Sequence, residues 1–452
     1  MHISTDPLPP CSQFPSEASV RSLPLSGALG GSARVSLTEL ESIVAAAAPA
    51  SSQHLTSAGG STANAARGLA GLGARVRLAG AAGDDEWGAA FARAVAASGA
   101  DARLVARVPG APTARCAVLS VEGSSQRTMR TCAEGAARVA AAEAEQLVRR
   151  GLEGGGAGPA DRLSRRDASV TEQGLCSSPP PRPIFLTSAY ALYVPDLLPT
   201  ALAAARAGGA RTALDLGSFE CVRAHWPALR AALRAGLVDT VLANEDEAAT
   251  VAELEAETTE DGAGREGARG EEKGAPPLPP FPALSPLLDA PAQRGGVLLS
   301  RLCAVAVVTA GDKGCAAFVQ DAGTPTASGY SASAVAPAAS GSSASAVAPA
   351  ASGSSASAVA SSGPSPGRVP AVFASPALSS IAVVDPTGAG DLFDAGFLYA
   401  RALGASVPQA LRAGCLAGAA VVQAEGATLD RSGWAWLRER MDAERKTWNT
   451  NA

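Results

Sequence analysis

The chain predicts an α/β fold built on a central, mostly parallel sheet, and three stretches carry that expectation. Between Ile184 and Ser218, the apolar runs IFLTSA and TALDLGS flank the helical pattern LPTALAAARAGG, a βαβ step for which a right-handed crossover is expected. In AVVDPTGAGDLFDAGFLYA, residues 382 to 400, an apolar strand runs into a Gly-rich turn and then into a helix. The third stretch, AVAVVTAGDKGCAAFV from Ala304 to Val319, reads as strand, turn and strand.

Composition narrows the function classes. A length of 452 residues suggests two or three domains, but low-complexity stretches lower the expectation to one. With 37 basic against 42 acidic side chains, the net charge of -5 marks neither a nucleic-acid binder nor a membrane-surface binder. No apolar run approaches the roughly 18 residues of a spanning helix, and residues 1 to 25 lack the basic-then-apolar order of a secretory signal. Eight cysteines without paired spacing argue against a zinc site or a disulfide framework and for a reducing compartment. A cytoplasmic protein is expected, a plastid or other organelle being the alternative. Three histidines leave little for a His-based hydrolase, and no G-x-G-x-x-G after an early strand points to a dehydrogenase.

The Gly-rich turn carries the chemistry. The backbone N–H groups of Gly388, Ala389 and Gly390 lie at the start of a helix expected near Asp391, where unpaired donors and the helix dipole favour an anion. A phosphate in that turn repels a carboxylate, unless the carboxylate takes a proton from an incoming hydroxyl; the pairing suggests phosphoryl transfer. The simpler alternative is that Asp391 caps the helix and the glycines only make the turn.

DPTGAGDLFDAGFLYA closely resembles the C-terminal signature of the PfkB (ribokinase-like) family of carbohydrate and nucleoside kinases. TSAGGSTANAARGLAGLGARVRLAGAAGDDEWG, from Thr56 to Gly88, resembles that family's N-terminal signature. The resemblance spans about residues 27 to 440 with three interruptions. It implies a ribokinase-like, Rossmann-type three-layer sandwich with a small β lid, Asp391 as catalytic base, and Gly388, Ala389 and Gly390 as the anion hole. ATP and Mg²⁺ are the implied cofactors, with a monovalent cation as a further one, and a homodimer is compatible with it.

In chain order, residues 1–26 show no apolar periodicity and lack the family's opening strand with its Gly and substrate-binding Asp, which raises a truncated N-terminus or an incorrect gene model. An amphipathic helix is expected over Leu37 to Ala46. Gly59 and Gly60 let the chain pass tightly beneath a substrate, Ser61 or Thr62 caps the next helix, and Asn64 in its first turn offers donor and acceptor to a hydroxyl pair. The resemblance gives Asn64 that substrate role; capping is the bland reading. Val76 to Gly80 reads as a parallel strand, with Asp84 and Asp85 on the loop at its end, where open α/β sheets bind ligands, or more simply as helix caps. ARCAVLSV and RTMRTC form a lid hairpin within residues 113–132, in which Arg127 and Arg130 are expected to be solvated, the alternative being that one of them points to the cleft. The RTMRTCAEGA segment is closer to the adenosine-kinase-like branch.

Residues 151–182, 254–296 and 321–368 read as insertions without fixed structure. The last contains a unit recurring at Ser331, Ser343 and, decaying, Ser355. Asp215 ends a strand where the family places a residue near metal and phosphates. Asn244 and Glu247, an N-x-x-E pair, match the family's motif for hydrated Mg²⁺, whereas acidic groups at a helix start are otherwise dipole partners. Thr309, Gly311 and Gly314 form a T-x-G-x-x-G turn that the family uses for ATP, while Lys313 lacks the spacing of a P-loop. The resemblance also assigns Thr387 and Gly426 to the nucleotide. Ala417, Gly418 and Ala420 either make room for adenine or pack helices closely. WAWLRERMDAERK reads as a surface helix, with 441–452 as a tail.

The expected function is an ATP-dependent phosphotransferase acting on a hydroxyl of a sugar. An adenosine or nucleoside kinase, or a non-catalytic family scaffold, are the alternatives. The expected partners are small molecules, with no nucleic acid and no membrane.

Overall fold

The computed structural model describes residues 31–47, 56–120, 127–153, 182–265, 285–320 and 370–448. The core is a six-stranded sheet in the order β11-β10-β9-β8-β7-β6, made of β6 (Ile184–Ser188), β7 (Arg211–Asp215), β8 (Thr240–Asn244), β9 (Val305–Thr309), β10 (Gly314–Val319) and β11 (Ala371–Pro376). β6 to β9 pair in parallel, and β10 and β11 add antiparallel at one edge.

Strand alternation decides the layers. Leu214, Val241, Ala306, Val308, Ala316 and Phe318 point to one face, where α5 (Leu197–Ala207), α6 (Phe219–Arg234), α7 (Glu245–Arg265) and α8 (Ala290–Ser300) cover them. Ala213, Leu242, Val305, Val307, Cys315 and Ala317 point to the other, beneath α9 (Ala389–Ala402), α10 (Val407–Val421) and α11 (Arg431–Trp448). Both faces are apolar because both are buried, giving three layers.

Before the sheet come β1 (Gly31–Arg34), α1 (Leu37–Ala47), α2 (Ser61–Gly71), β2 (Arg77–Gly83), α3 (Glu86–Ala97), β3 (Asp101–Val108), β4 (Arg115–Ser120), β5 (Arg127–Cys132) and α4 (Ala141–Glu153). β2 and β3 pair in parallel, and β1-β5-β4 form the small lid sheet, with β4 and β5 antiparallel as the hairpin expectation requires. Asp85 is the N-cap of α3: its carboxylate accepts from Gly88 N at 2.8 Å and from Thr113 N at 2.7 Å. Burial pushes that carboxyl up, but the Thr113 and Gly88 hydrogen bonds win and hold it at about 2.

Several sequence expectations change. Arg130 is not solvated but 1% exposed, and its guanidinium donates to the Met129 carbonyl; the side chain of Arg127 lies outside the described residues. Within 254–296, residues up to Arg265 continue α7, and α8 begins at Ala290. Leu254, Leu288 and Ala292 anchor these segments on the core, which a mixed-charge composition conceals. Gly151–Glu153 belong to α4. The repeat unit with all of 321–368, together with 154–181 and 266–284, lies outside the described residues, as does 1–26. The tail expected from 441 is helical to Trp448, since Met441 is buried and the Thr447 carbonyl accepts from Gln409 Nε2.

Candidate active site

The parallel strands end on one edge of the sheet, and their last residues are Ser188, Asp215, Asn244 and Thr309. Register aligns Ser188 with Asp215 and Asn244 with Thr309. Such an edge, where strands hand over to loops and helix starts, is where open α/β sheets gather ligand groups.

α9 begins at Ala389, two residues before the expected start, because Gly388 takes φ 79° and turns the chain directly into the helix. A Cβ at Gly388 would lie 2.7 Å from that of Ala427, whereas Gly390 is exposed and opens onto free space. Ala389 N donates back to Pro386 O at 3.2 Å. Asp391 therefore sits in the first turn of α9 beside an open helix N-terminus.

The two signature segments meet here across 327 residues: Asn64 Nδ2 donates to Asp391 Oδ2 at 2.8 Å. Asn64 is 7% exposed, and its Oδ1 is buried without a hydrogen-bond partner among the described residues. It does not cap α2. Gly60 occupies the N-cap position with φ 101°, and the Ser61 hydroxyl, expected as a cap, instead donates to Asp215 Oδ2 at 2.5 Å. Gly59 and Gly60 are exposed with open space above them.

Asp215 Oδ1 also accepts from Gly217 N at 3.0 Å. Burial raises its carboxyl, and the Ser61, Gly217 and Ser188 hydrogen bonds offset part of that. Asn244 and Glu247 close on each other: Asn244 N and Nδ2 donate to the two Glu247 oxygens at 2.9 and 2.8 Å, and Glu247 N donates to Asn244 Oδ1 at 2.9 Å. Glu247 is 2% exposed; burial first, then the charge of Asp215, pushes it well above the carboxylate range. Among the described residues, no group of three or more His, Cys, Asp or Glu side chains is arranged to hold a metal ion.

Asp385, which the sequence reading passed over, ties two predicted nucleotide residues together. Its Oδ1 accepts from Thr387 N at 2.9 Å and Oγ1 at 2.6 Å, and its Oδ2 accepts from Gly426 N at 2.8 Å. The Asp-Pro-Thr order is the signal: an Asp side chain accepting two residues on is an Asx turn. Asp394, also passed over, lies buried one helical turn past Asp391.

Thr309, Gly311 and Gly314 form the β9–β10 turn, with Gly314 at φ 115° packed against Ser375 O and Lys313 paired with Glu245 at 3.0 Å. Ala417 and Ala420 are buried against α9, and a Cβ on Gly396 would meet Ala417 at 2.8 Å; helix packing accounts for these residues. A cavity of about 580 Å³ lies between the β11–α9 connection and the outer faces of α10 and α11, lined by Ser375, Leu378, Arg412, Cys415, Gln423 and Trp436 among others. None of the site residues expected from the sequence lines it. The residues expected from the sequence gather at the strand edge, apart from that cavity.

Comparison with known proteins gives a family pattern and a shared fold. The pfkB family carbohydrate kinase pattern matches residues 33–151 and 352–432, which hold Asn64 and Asp391. Adenosine kinase from Sinorhizobium meliloti superposes with a TM-score of 0.61 at 19% identity, covering 95% of each chain. A probable sugar kinase protein from Rhizobium etli CFN 42 gives 0.60 at 18% identity, covering 95% of this chain and 93% of its own. Anopheles gambiae adenosine kinase, in complex with P1,P4-di(adenosine-5) tetraphosphate, gives 0.55 at 15% identity over 91% of both chains. No curated protein sequence matches the chain. The fold is ribokinase-like, and the pfkB family carbohydrate kinase pattern is present at both signature segments.

Proposed function

We propose that the protein is an ATP-dependent phosphotransferase that moves the γ-phosphoryl group to a hydroxyl of a sugar, with adenosine or another nucleoside as the next acceptor class. The observation that carries this reading is the Asn64–Asp391 pair. Asn64 donates one Nδ2 hydrogen bond to Asp391 and keeps a buried acceptor, Oδ1, without a donor among the described residues. Leaving such an atom unsatisfied costs about 1–3 kcal/mol, and a neighbouring hydroxyl of a polyol supplies the missing donor. The hydroxyl to be phosphorylated then lies against Asp391, which takes its proton.

The residues also fit the implied cofactors. At the N-terminus of α9, Gly388 and Gly390 would offer backbone donors where negative charge develops, with Ala389 N, which donates to Pro386 O, joining them only on giving up that bond. Thr387 and Gly426, held in place by Asp385, together with Thr309, Gly311 and Gly314, are the proposed nucleotide contacts. Asn244, exposed at the strand edge, and Glu247 behind it would hold hydrated Mg²⁺, which keeps most of its waters and so needs few protein ligands. When bound, Mg²⁺ neutralises phosphate charge. The nucleoside alternative draws support from the lid segment RTMRTCAEGA and from the fold shared with adenosine kinases.

The test is Mg²⁺-dependent ATP consumption by wild type and Asp391→Asn against a panel of sugars and nucleosides. Turnover with one acceptor, falling about 10²–10⁴-fold in the variant while ATP binding persists, is expected. ATP binding with no turnover on any acceptor would overturn the reading in favour of a non-catalytic family member.

A further inference from the structure

Cys315, the first residue after Gly314 in β10, and Cys415, on α10, lie with their sulfurs 3.6 Å apart although 100 residues separate them. Cys315 stands opposite Ser375 in the β10–β11 register, and the Ser375 hydroxyl lies 3.8 Å from Cys415 Sγ, so three sulfur and oxygen atoms cluster where α10 crosses the sheet. The two thiols differ in access. Cys315 is wholly buried, whereas Cys415 lines the cavity of about 580 Å³. We infer that Cys315 and Cys415 are an oxidisable dithiol, in which Cys415 meets a hydroperoxide in the cavity and Cys315 converts the product to a disulfide joining β10 to α10.

The chemistry balances with hydrogen peroxide as the oxidant. Cys415 thiolate attacks one peroxide oxygen, the O–O bond breaks, and the departing hydroxide takes a proton to leave as water, giving Cys415 sulfenic acid. Cys315 sulfur then displaces that hydroxyl as a second water, with its own proton, and the S–S bond forms. Closing from 3.6 Å to the bond length of about 2.0 Å takes roughly 1.6 Å of side-chain movement. Either thiol can donate in the contact between them; with Cys315 as donor, the bond lowers Cys415 and raises Cys315, so the thiolate forms on the partner that lines the cavity. A regulatory effect rests on the proposed kinase reading. The bridge would fix α10 to the strand that opens at the Gly311–Gly314 turn and reduce turnover.

The experiment exposes the reduced full-length chain to hydrogen peroxide, blocks remaining thiols and maps peptides without reduction. A linked Cys315–Cys415 peptide, removed by dithiothreitol and lost in Cys415→Ser, is expected. In Cys315→Ser, where nothing completes the bridge, dimedone should label Cys415; this arm holds even if Cys415→Ser folds poorly. Unchanged alkylation of both cysteines after peroxide, or no dimedone label on Cys415, would overturn the proposal. A bridge without change in ATP consumption would overturn only the regulatory part, and absence of any kinase activity leaves the peptide readout intact.

Discussion

Asp394 shows what one buried carboxyl does to the helix that holds it. It is 6% exposed on α9, and burial, followed by the charges of Asp215, Asp391 and Glu247, pushes it well above the usual carboxylate range. Its folded pKa exceeds its unfolded one, so the native chain binds the extra proton, and stability falls as pH rises from about 4 toward the folded value. Asp394→Asn removes this dependence without changing shape. The variant should match wild type near pH 4 and become more stable above it, by up to about 1.4 kcal/mol per pH unit until the folded pKa is passed. Urea unfolding of both proteins across that range measures the gap; a constant difference would mean that Asp394 is not held protonated.

At the scale of elements, the site depends on how closely α2 approaches α9. A Cβ on Gly68 would lie 2.8 Å from Ala395 Cβ and 2.9 Å from Leu392 Cδ1, so only glycine allows the contact that brings Asn64 to Asp391. Gly68→Val should cost about 1–3 kcal/mol of stability through overpacking. It should also reduce turnover more than ATP affinity, because α2 carries none of the proposed nucleotide contacts; equal losses in both would contradict this division. Local features of this kind were legible in the sequence. The Gly-rich turn, the Asp85 cap and the β9–β10 hairpin are written in residues a few positions apart. The Asn64–Asp391 contact was not, since 327 residues separate the partners and only family resemblance joined them. Arg130 and Asp394 were misread or missed because a charge on a strand or helix reads as solvent-facing until the packing partner is known. The α7 and α8 boundaries failed for a related reason: a few anchors, such as Leu254 and Ala292, outweigh a polar composition.

For the molecule as a whole, the lid sheet must be held over the strand edge, and the contact that does so lies far from its own hairpin. Ser32 N on β1 donates to Glu220 Oε1 at 2.8 Å, at the start of α6, and Arg34 stacks over the Tyr193 ring at 4.3 Å. Gly31, at φ 66°, packs directly against the same carboxylate. The lid strand is thus fastened to the layer of α6 by a charge-assisted hydrogen bond and a cation–π contact, while its own sheet holds it by β1–β5 pairing. A hydrogen bond to a charged group contributes about 1.5–3 kcal/mol, and each 1.4 kcal/mol corresponds to a tenfold change in an opening equilibrium. Glu220→Ala should therefore speed amide exchange at Ser32–Arg34 by at least tenfold. Exchange in β8 and β9, buried in the centre of the sheet, should stay as in wild type. Faster exchange throughout would show that Glu220 supports the core instead, and unchanged exchange at β1 would show that strand pairing alone secures the lid.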